Sequence, residues 1–276
     1  MIPLPWPFER QYMQLALMGG LAVGISAPLV GTFLVQKRLS LMGDGIGHVA
    51  FAGVAAGLLA GVWPIWTALG AAAVSACTIE WLRSRGRAGG DLALALFFYV
   101  GIASGVVLTG LSGSLNGGIL SYLFGSILTV TPGDARSIAI LGFTTAVVVI
   151  IGWRGLFSAV LDEEAARVAG LPVDFLNLGL AALTAVIVVA AMQVVGVLLV
   201  AALMVLPVGA AQRFSPSFKT TLIIASAVGA TSAVVGLVAA RQWNLAPGGT
   251  IVLVAAVIFI IAAVGGRWHF PGFSRR

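Results

Sequence analysis

Asp44 and His48 lie four residues apart in the otherwise apolar segment LMGDGIGHVAFAGVAAG. In a helix, residues i and i+4 lie on one face with their Cβ atoms about 5–6 Å apart. A carboxylate and an imidazole at that separation can bind one cation together, and this pair of ligand types suits divalent transition metals. Ionisable groups inside apolar segments are costly and are therefore functional candidates. The pattern predicts a metal site at Asp44 and His48.

Two ligands are too few for this site, because Zn²⁺ or Mn²⁺ takes about four to six. A two-fold homodimer would duplicate the pair and supply four ligands. The alternative is structural: Asp44 follows Gly43 before an apolar run and could cap the second helix. In that interpretation His48 is a hydrogen-bonded polar group inside a helix bundle.

The composition places these residues in a membrane protein. The chain has 276 residues, of which 60% are hydrophobic and 9% charged, and a mean hydropathy of +1.09. No water-soluble fold could cover that much apolar surface. The formal charge of +6 would indicate nucleic acid in a soluble protein. Here the basic residues lie between apolar runs, where positive-inside sorting explains them, so no nucleic-acid partner is expected.

Apolar runs of spanning length predict an all-α, polytopic bundle of about nine transmembrane helices. The predicted ranges are 13–35, 45–62, 64–82, 91–111, 135–153, 175–193, 195–212, 220–240 and 248–265. Eight or ten helices are also possible, since 112–130 could be a loop or a short re-entrant segment and 193–196 is a very tight connection. We expect one membrane domain over 1–276, with polar tails at about 1–12 and 266–276.

The distribution of basic residues predicts the orientation. Of the 15 Lys and Arg residues, twelve fall on one side of the predicted helices and three, Arg10, Arg136 and Arg241, on the other. The positive-inside rule puts the first side in the cytoplasm, with the N-terminus outside and the C-terminus inside. An odd number of helices agrees with that arrangement.

The longest hydrophilic stretch, LDEEAARVAGLP at 161–172, predicts a short amphipathic helix within a cytoplasmic segment at about 154–174. Acidic residues in its first turn and a later arginine suit the helix dipole, and its glycine can adopt the left-handed conformation that ends a helix. The candidate residues for contact with a partner protein are Asp162, Glu163, Glu164, Arg167, Gly170 and Leu171. The alternative is an ordinary connecting helix with a solvated charged face.

Several classes of active site are missing from the sequence. There is no G-x-x-x-x-G-K-[ST] phosphate loop, and the two lysines, Lys37 and Lys219, stand in other settings. Any ATP hydrolysis is therefore expected on another chain. The single Cys77 allows no internal disulfide. An intramembrane enzyme would need several convergent groups, and HExxH and GxSxG are absent. A gradient-driven secondary transporter remains an alternative.

Four segments, in this order, carry a family resemblance: LVGTFLVQKRLSLMGDGIGHVAFAGVAAG, LSYLFGSILTVTPGDA, LDEEAARVAGLPVDFLN and VGVLLVAALMVLPVGAAQRF. From about residue 15 to 265 the chain resembles the membrane permease subunit of bacterial zinc/manganese-type ABC importers, relatives of the vitamin B12 permease. The resemblance implies a type II ABC importer-like fold in the bacterial inner membrane. It also implies that Asp44 and His48 take part in metal passage.

The resemblance further implies that about Asp162 to Leu171 is a coupling helix seated on an ATPase. The implied assembly has two copies of this chain, two ABC ATPase subunits and an extracytoplasmic metal-binding protein. The cargo would be Zn²⁺, alternatively Mn²⁺ or Fe²⁺, with no tightly bound cofactor. An iron chelate or cobalamin is the alternative cargo, although it would not need the Asp–His pair. Lys37 and Arg38 put that pair near the cytoplasmic side unless the chain is broken or re-entrant around 36–47.

Overall fold

The computed structural model describes residues 6–85, 90–111, 117–126 and 130–265, and within these ranges all regular structure is helical. The helices are α1 (Gln11–Gln36), α2 (Met42–Ala60), α3 (Pro64–Ser84), α4 (Gly90–Leu111), α5 (Gly117–Phe124), α6 (Pro132–Leu161), α7 (Glu163–Val168), α8 (Val173–Met192), α9 (Val197–Ala211), α10 (Phe218–Trp243) and α11 (Pro247–Gly265). The predicted all-α class is confirmed.

In the described ranges, eight helices are long and apolar enough to cross a membrane. The remaining apolar segment, α9, is a helix of 15 residues that contains Pro207 and continues for four residues beyond it. These nine helices correspond to the nine predicted segments. The chain is therefore a multi-pass membrane protein.

One predicted boundary was wrong. The sequence predicted the fifth spanning segment over 135–153, whereas α6 runs from Pro132 to Leu161. The helix continues past Arg154 because Leu156 and Ala159 are buried on its inner face. The first part of the predicted 154–174 connection is therefore the last two turns of α6.

Ion pairs and ring contacts identify the two ends of the bundle. At one end, Lys37 after α1 and Arg83 near the end of α3 both pair with Glu163 of α7. At the other end, the Arg241 guanidinium of α10 lies 5.6 Å from the ring of Tyr12 in α1. This arrangement matches the predicted division of basic residues between two sides, and the orientation in the membrane stays a prediction.

Small residues set the distances between helices. A Cβ added to Gly31 of α1 would lie 2.0 Å from the carbonyl oxygen of Met204 in α9, and one on Gly24 would lie 2.7 Å from that of Gly229 in α10. Backbones approach this closely where small residues meet, since lipid gives no hydrophobic drive to helix association.

The structure describes the connection at 193–196 fully and the one at 112–130 in part. Within 112–130, the described part forms the eight-residue helix α5. Residues 112–116 and 127–129 lie outside the described ranges. The connection at 193–196 is a tight turn that ends at Gly196 with a φ of 89°. A Cβ on Gly196 would lie 2.4 Å from the Leu123 carbonyl oxygen, so α5 packs directly on this turn.

Candidate metal-binding site

The turn between α1 and α2 determines where Asp44 lies. Arg38 adopts a left-handed conformation with a φ of 59°, and α2 begins at Met42. Asp44 is therefore in the first turn of α2, and His48 lies one turn further along the same face. At 1.5 Å per residue, His48 is about 9 Å along the axis from the helix start. Between 36 and 47 the chain has only this short turn from α1 into α2, and the pair lies toward the Lys37 end of α2.

The structural alternative for the pair is not observed. The N-cap position is Leu41, and no side chain caps α2. Asp44 is half-buried, and His48 is 8% exposed. Across the described part of the chain, neither side chain takes part in a hydrogen bond or ion pair with protein. Both keep their polar atoms available to a ligand.

His48 faces a half-open cavity of about 660 Å³ between α2, α4, α5 and α9. Its other lining residues include Phe51, Ile102, Thr109, Ile119 and Leu198. These walls are mainly apolar, so water competes weakly with any ligand that reaches the imidazole.

α4 supports His48 from behind. The Phe98 ring lies edge-on to the imidazole, with ring centroids 4.6 Å apart. A Cβ on Gly101 would lie 2.6 Å from the Val49 nitrogen, and one on Gly105 would lie 2.5 Å from Phe51. Sequence reasoning missed these three residues of α4. The four-residue spacing of Gly101 and Gly105 was the available signal, since small residues at that spacing permit close helix contact.

The chain offers an incomplete ligand set. In the described ranges, no group of three or more His, Cys, Asp or Glu side chains could hold a metal ion. Within these ranges, Asp44 and His48 can therefore supply only part of a coordination shell.

The predicted amphipathic helix exists as α7. Asp162 is its N-cap and accepts a hydrogen bond from the Ala165 nitrogen at 3.0 Å. Gly170 has a φ of 80°, and the Leu171 nitrogen donates to the Ala166 carbonyl oxygen at 3.0 Å. The predicted glycine stop is confirmed, whereas the cap by Asp162, which was predicted only as an acidic residue of the first turn, is a finding of the structure.

The charged residues of α7 point in two directions. Glu164 and Arg167 are exposed, and Arg167 pairs with Asp174 at the start of α8. Glu163 instead turns inward, where its Oε1 accepts from Lys37 Nζ at 2.6 Å and from Arg83 Nη2 at 3.1 Å. Glu163 was predicted only as part of a surface helix, and its inward partners were not predicted.

The environment of Glu163 keeps it ionised. Burial alone would raise the pKa of its carboxyl group. The hydrogen bond from Lys37 and the positive charges of Lys37 and Arg83 outweigh burial and hold this pKa below its ordinary value. α7 is therefore attached to the bundle by a charged contact at neutral pH.

Comparison with known proteins covers nearly the whole chain. The sequence profile of a family described as the ABC 3 transport family matches residues 9–266. The manganese transport system membrane protein MntC of Listeria monocytogenes is 30% identical over 92% of this chain and 90% of its own length. The manganese import system permease protein ScaB of Streptococcus gordonii is 30% identical over 92% of this chain and 91% of its own length.

Two solved structures have the same fold. PsaBC from Streptococcus pneumoniae, in complex with Fab, superimposes with a TM-score of 0.83 and 31% identity over 92% of this chain and 91% of that chain. A metal-chelate type ABC transporter in an inward-facing conformation gives a TM-score of 0.67 over 91% of this chain and 86% of that chain. At 17% identity, the second likeness concerns the fold alone.

Proposed function

Because the chain belongs to the ABC 3 transport family and is the permease of an ABC-type metal importer, we propose that two copies of it form the pathway for a divalent metal ion. Asp44 and His48 of each copy supply ligands in that pathway. The chain itself is non-catalytic, and a separate ATPase hydrolyses ATP.

The observation that carries this proposal is that Asp44 and His48 make no hydrogen bond or ion pair within the described structure, while His48 lines an apolar cavity. A carboxylate and an imidazole at i, i+4 on α2 lower the cost of a partly dehydrated cation, while two ligands per chain are weak enough to release it. Doubling the chain gives four ligands, which is near the number that a transition metal needs. The cavity beside His48 is half-open, so a second copy could reach it.

The expected cargo is Mn²⁺, with Zn²⁺ next. The family resemblance put zinc first, and ligand chemistry does not choose, because Asp plus His suits zinc, manganese and iron. The names of the relatives MntC and ScaB refer to manganese, and these proteins match over nine-tenths of this chain. We therefore propose manganese as the metal that this chain transports.

The proposed assembly adds two ATPase subunits and an extracytoplasmic binding protein. On the Lys37 side, the exposed residues Glu164 and Arg167 of α7 offer charges to an ATPase cleft. Leu171 follows this helix and packs beside the small cluster around Ala166. We therefore propose α7 as the segment that contacts the ATPase and is moved by it.

The test is transport by purified protein in liposomes, with and without the ATPase subunits. We expect Mn²⁺ uptake that requires the ATPase subunits, ATP and the binding protein. Uptake by the permease alone, driven by an ion gradient, would instead identify a secondary transporter. Transport of an iron chelate or cobalamin in place of a bare ion would also contradict the proposal.

A further inference from the structure

A buried ion cluster joins four helices at the Lys37 end of the bundle. We call Lys37, Glu80, Arg83, Glu163 and Asn177 the ion cluster. Lys37 and Glu80 are each 6% exposed and Asn177 is 4% exposed, whereas Arg83 at 22% and Glu163 at 31% are partly exposed. Two cations and two carboxylates balance, so the ion cluster carries no net charge.

Hydrogen bonds connect every member of the ion cluster. Glu163 Oε1 accepts from Lys37, Arg83 and, at 3.2 Å, from Asn177 Nδ2. Lys37 also donates to Asn177 Oδ1. Arg83 forms a two-point contact with Glu80 at 2.9 and 2.7 Å. The Lys37 ammonium is therefore held between α7 and α8 while its backbone ends α1.

Lys37 also borders the start of the helix that carries the candidate metal ligands. Leu39 and Met42 line the same small buried space as Lys37, Glu80 and Asn177. Met42 is 1% exposed, is the first residue of α2 and precedes Asp44 by two positions. Lys37, which bonds to Glu163, and Met42, which begins α2, thus border one small space at this end of the bundle.

We propose that Lys37 is a positioning residue that ties α7 to the start of α2, so that displacement of α7 moves Asp44 and His48. This inference rests on the proposed function, in which an ATPase moves α7. An apolar contact would hold the fold at lower desolvation cost than a buried ion pair. Charged hydrogen bonds fix one direction and one register between α7 and the turn, as a mechanical link requires.

The test compares Lys37→Met with Lys219→Met in the complete reconstituted importer. Lys219, the other lysine, is exposed near the start of α10. For Lys37→Met we expect normal amounts of complex and metal binding without ATP, but about tenfold fewer ions moved per ATP, within the usual range of coupling between sites. Lys37→Arg should restore at least half of that ratio, and Lys219→Met should match the wild type.

A second variant is needed because Lys37→Met leaves the Glu163 carboxylate without its lysine partner, which could prevent folding. Lys37→Met with Glu163→Gln removes both charges, so Glu163 is not left as an unpaired anion. We expect this double variant to assemble and still move about tenfold fewer ions per ATP. A wild-type ratio in either variant that assembles would overturn the role of Lys37. Failure of the wild type itself to use ATP would instead contradict the proposed function.

Discussion

Replacing His48 by alanine should reduce manganese uptake by at least about tenfold at low metal concentration, since even residues that only support metal ligands contribute about 10–100-fold. The imidazole is the only nitrogen ligand of the proposed pair, and it makes no hydrogen bond or ion pair in the described structure. Radioactive metal uptake in cells that lack other importers measures the effect.

The matching change at the other ligand is Asp44→Asn, which keeps the shape and removes the charge. We expect a similar loss, because an amide oxygen is a weaker ligand for a transition metal than a carboxylate. Leu59→Ala is the control: Leu59 lies on the same helix and is 45% exposed. Uptake at the wild-type level in His48→Ala, with normal expression, would exclude the pair from the pathway.

Local signals made the spanning helices and the candidate metal pair predictable from the sequence. Apolar runs of bilayer length give the helices directly. The i, i+4 spacing puts Asp44 and His48 on one face wherever the helix lies. The same holds for α7, because Asp162 and Gly170 act on backbone groups within a few residues of themselves.

Contacts between distant parts of the chain were not predictable. Lys37 meets Glu163 across 126 positions and Asn177 across 140. Nothing near Lys37 distinguishes it from Arg38, since both are basic residues at the end of an apolar run. The length of α6 was missed for a related reason: Arg154 resembles a boundary residue, and only tertiary packing buries Leu156 and Ala159.

The sequence also does not show which glycines are in close contact with other parts of the chain. The chain has 36 glycines. The structure separates Gly196, which has a positive φ and main-chain atoms of the α5 end within 2.5 Å of an added Cβ, from Gly70 in α3, which has nothing within 4 Å of an added Cβ. Only the three-dimensional arrangement separates a glycine that excludes a Cβ from one that admits it.

Gly196→Ala should strongly destabilise the protein and reduce uptake. Its φ of 89° is unfavourable for any residue with a Cβ, and such conformations cost about 1–3 kcal/mol. The added methyl group would also lie 2.4 Å from the Leu123 carbonyl oxygen and 2.5 Å from the Gly125 nitrogen. Because those atoms are backbone, they cannot rotate away, and α5 must shift from the turn. Thermal unfolding of the purified protein, followed by size-exclusion chromatography, measures the loss.

The control for this change is Gly70→Ala, which adds the same methyl group to an open position in α3. Alanine is favoured over glycine inside a helix by about 0.5–1 kcal/mol, so this variant should be unchanged or slightly more stable. α5 supplies Ile119 and Leu123 to the cavity beside His48. Displacement of α5 should therefore reduce uptake even in the fraction of Gly196→Ala protein that remains folded. Equal stability of the two variants would mean that the α5 contact is not rigid, and that the walls of the cavity can adjust around the metal site.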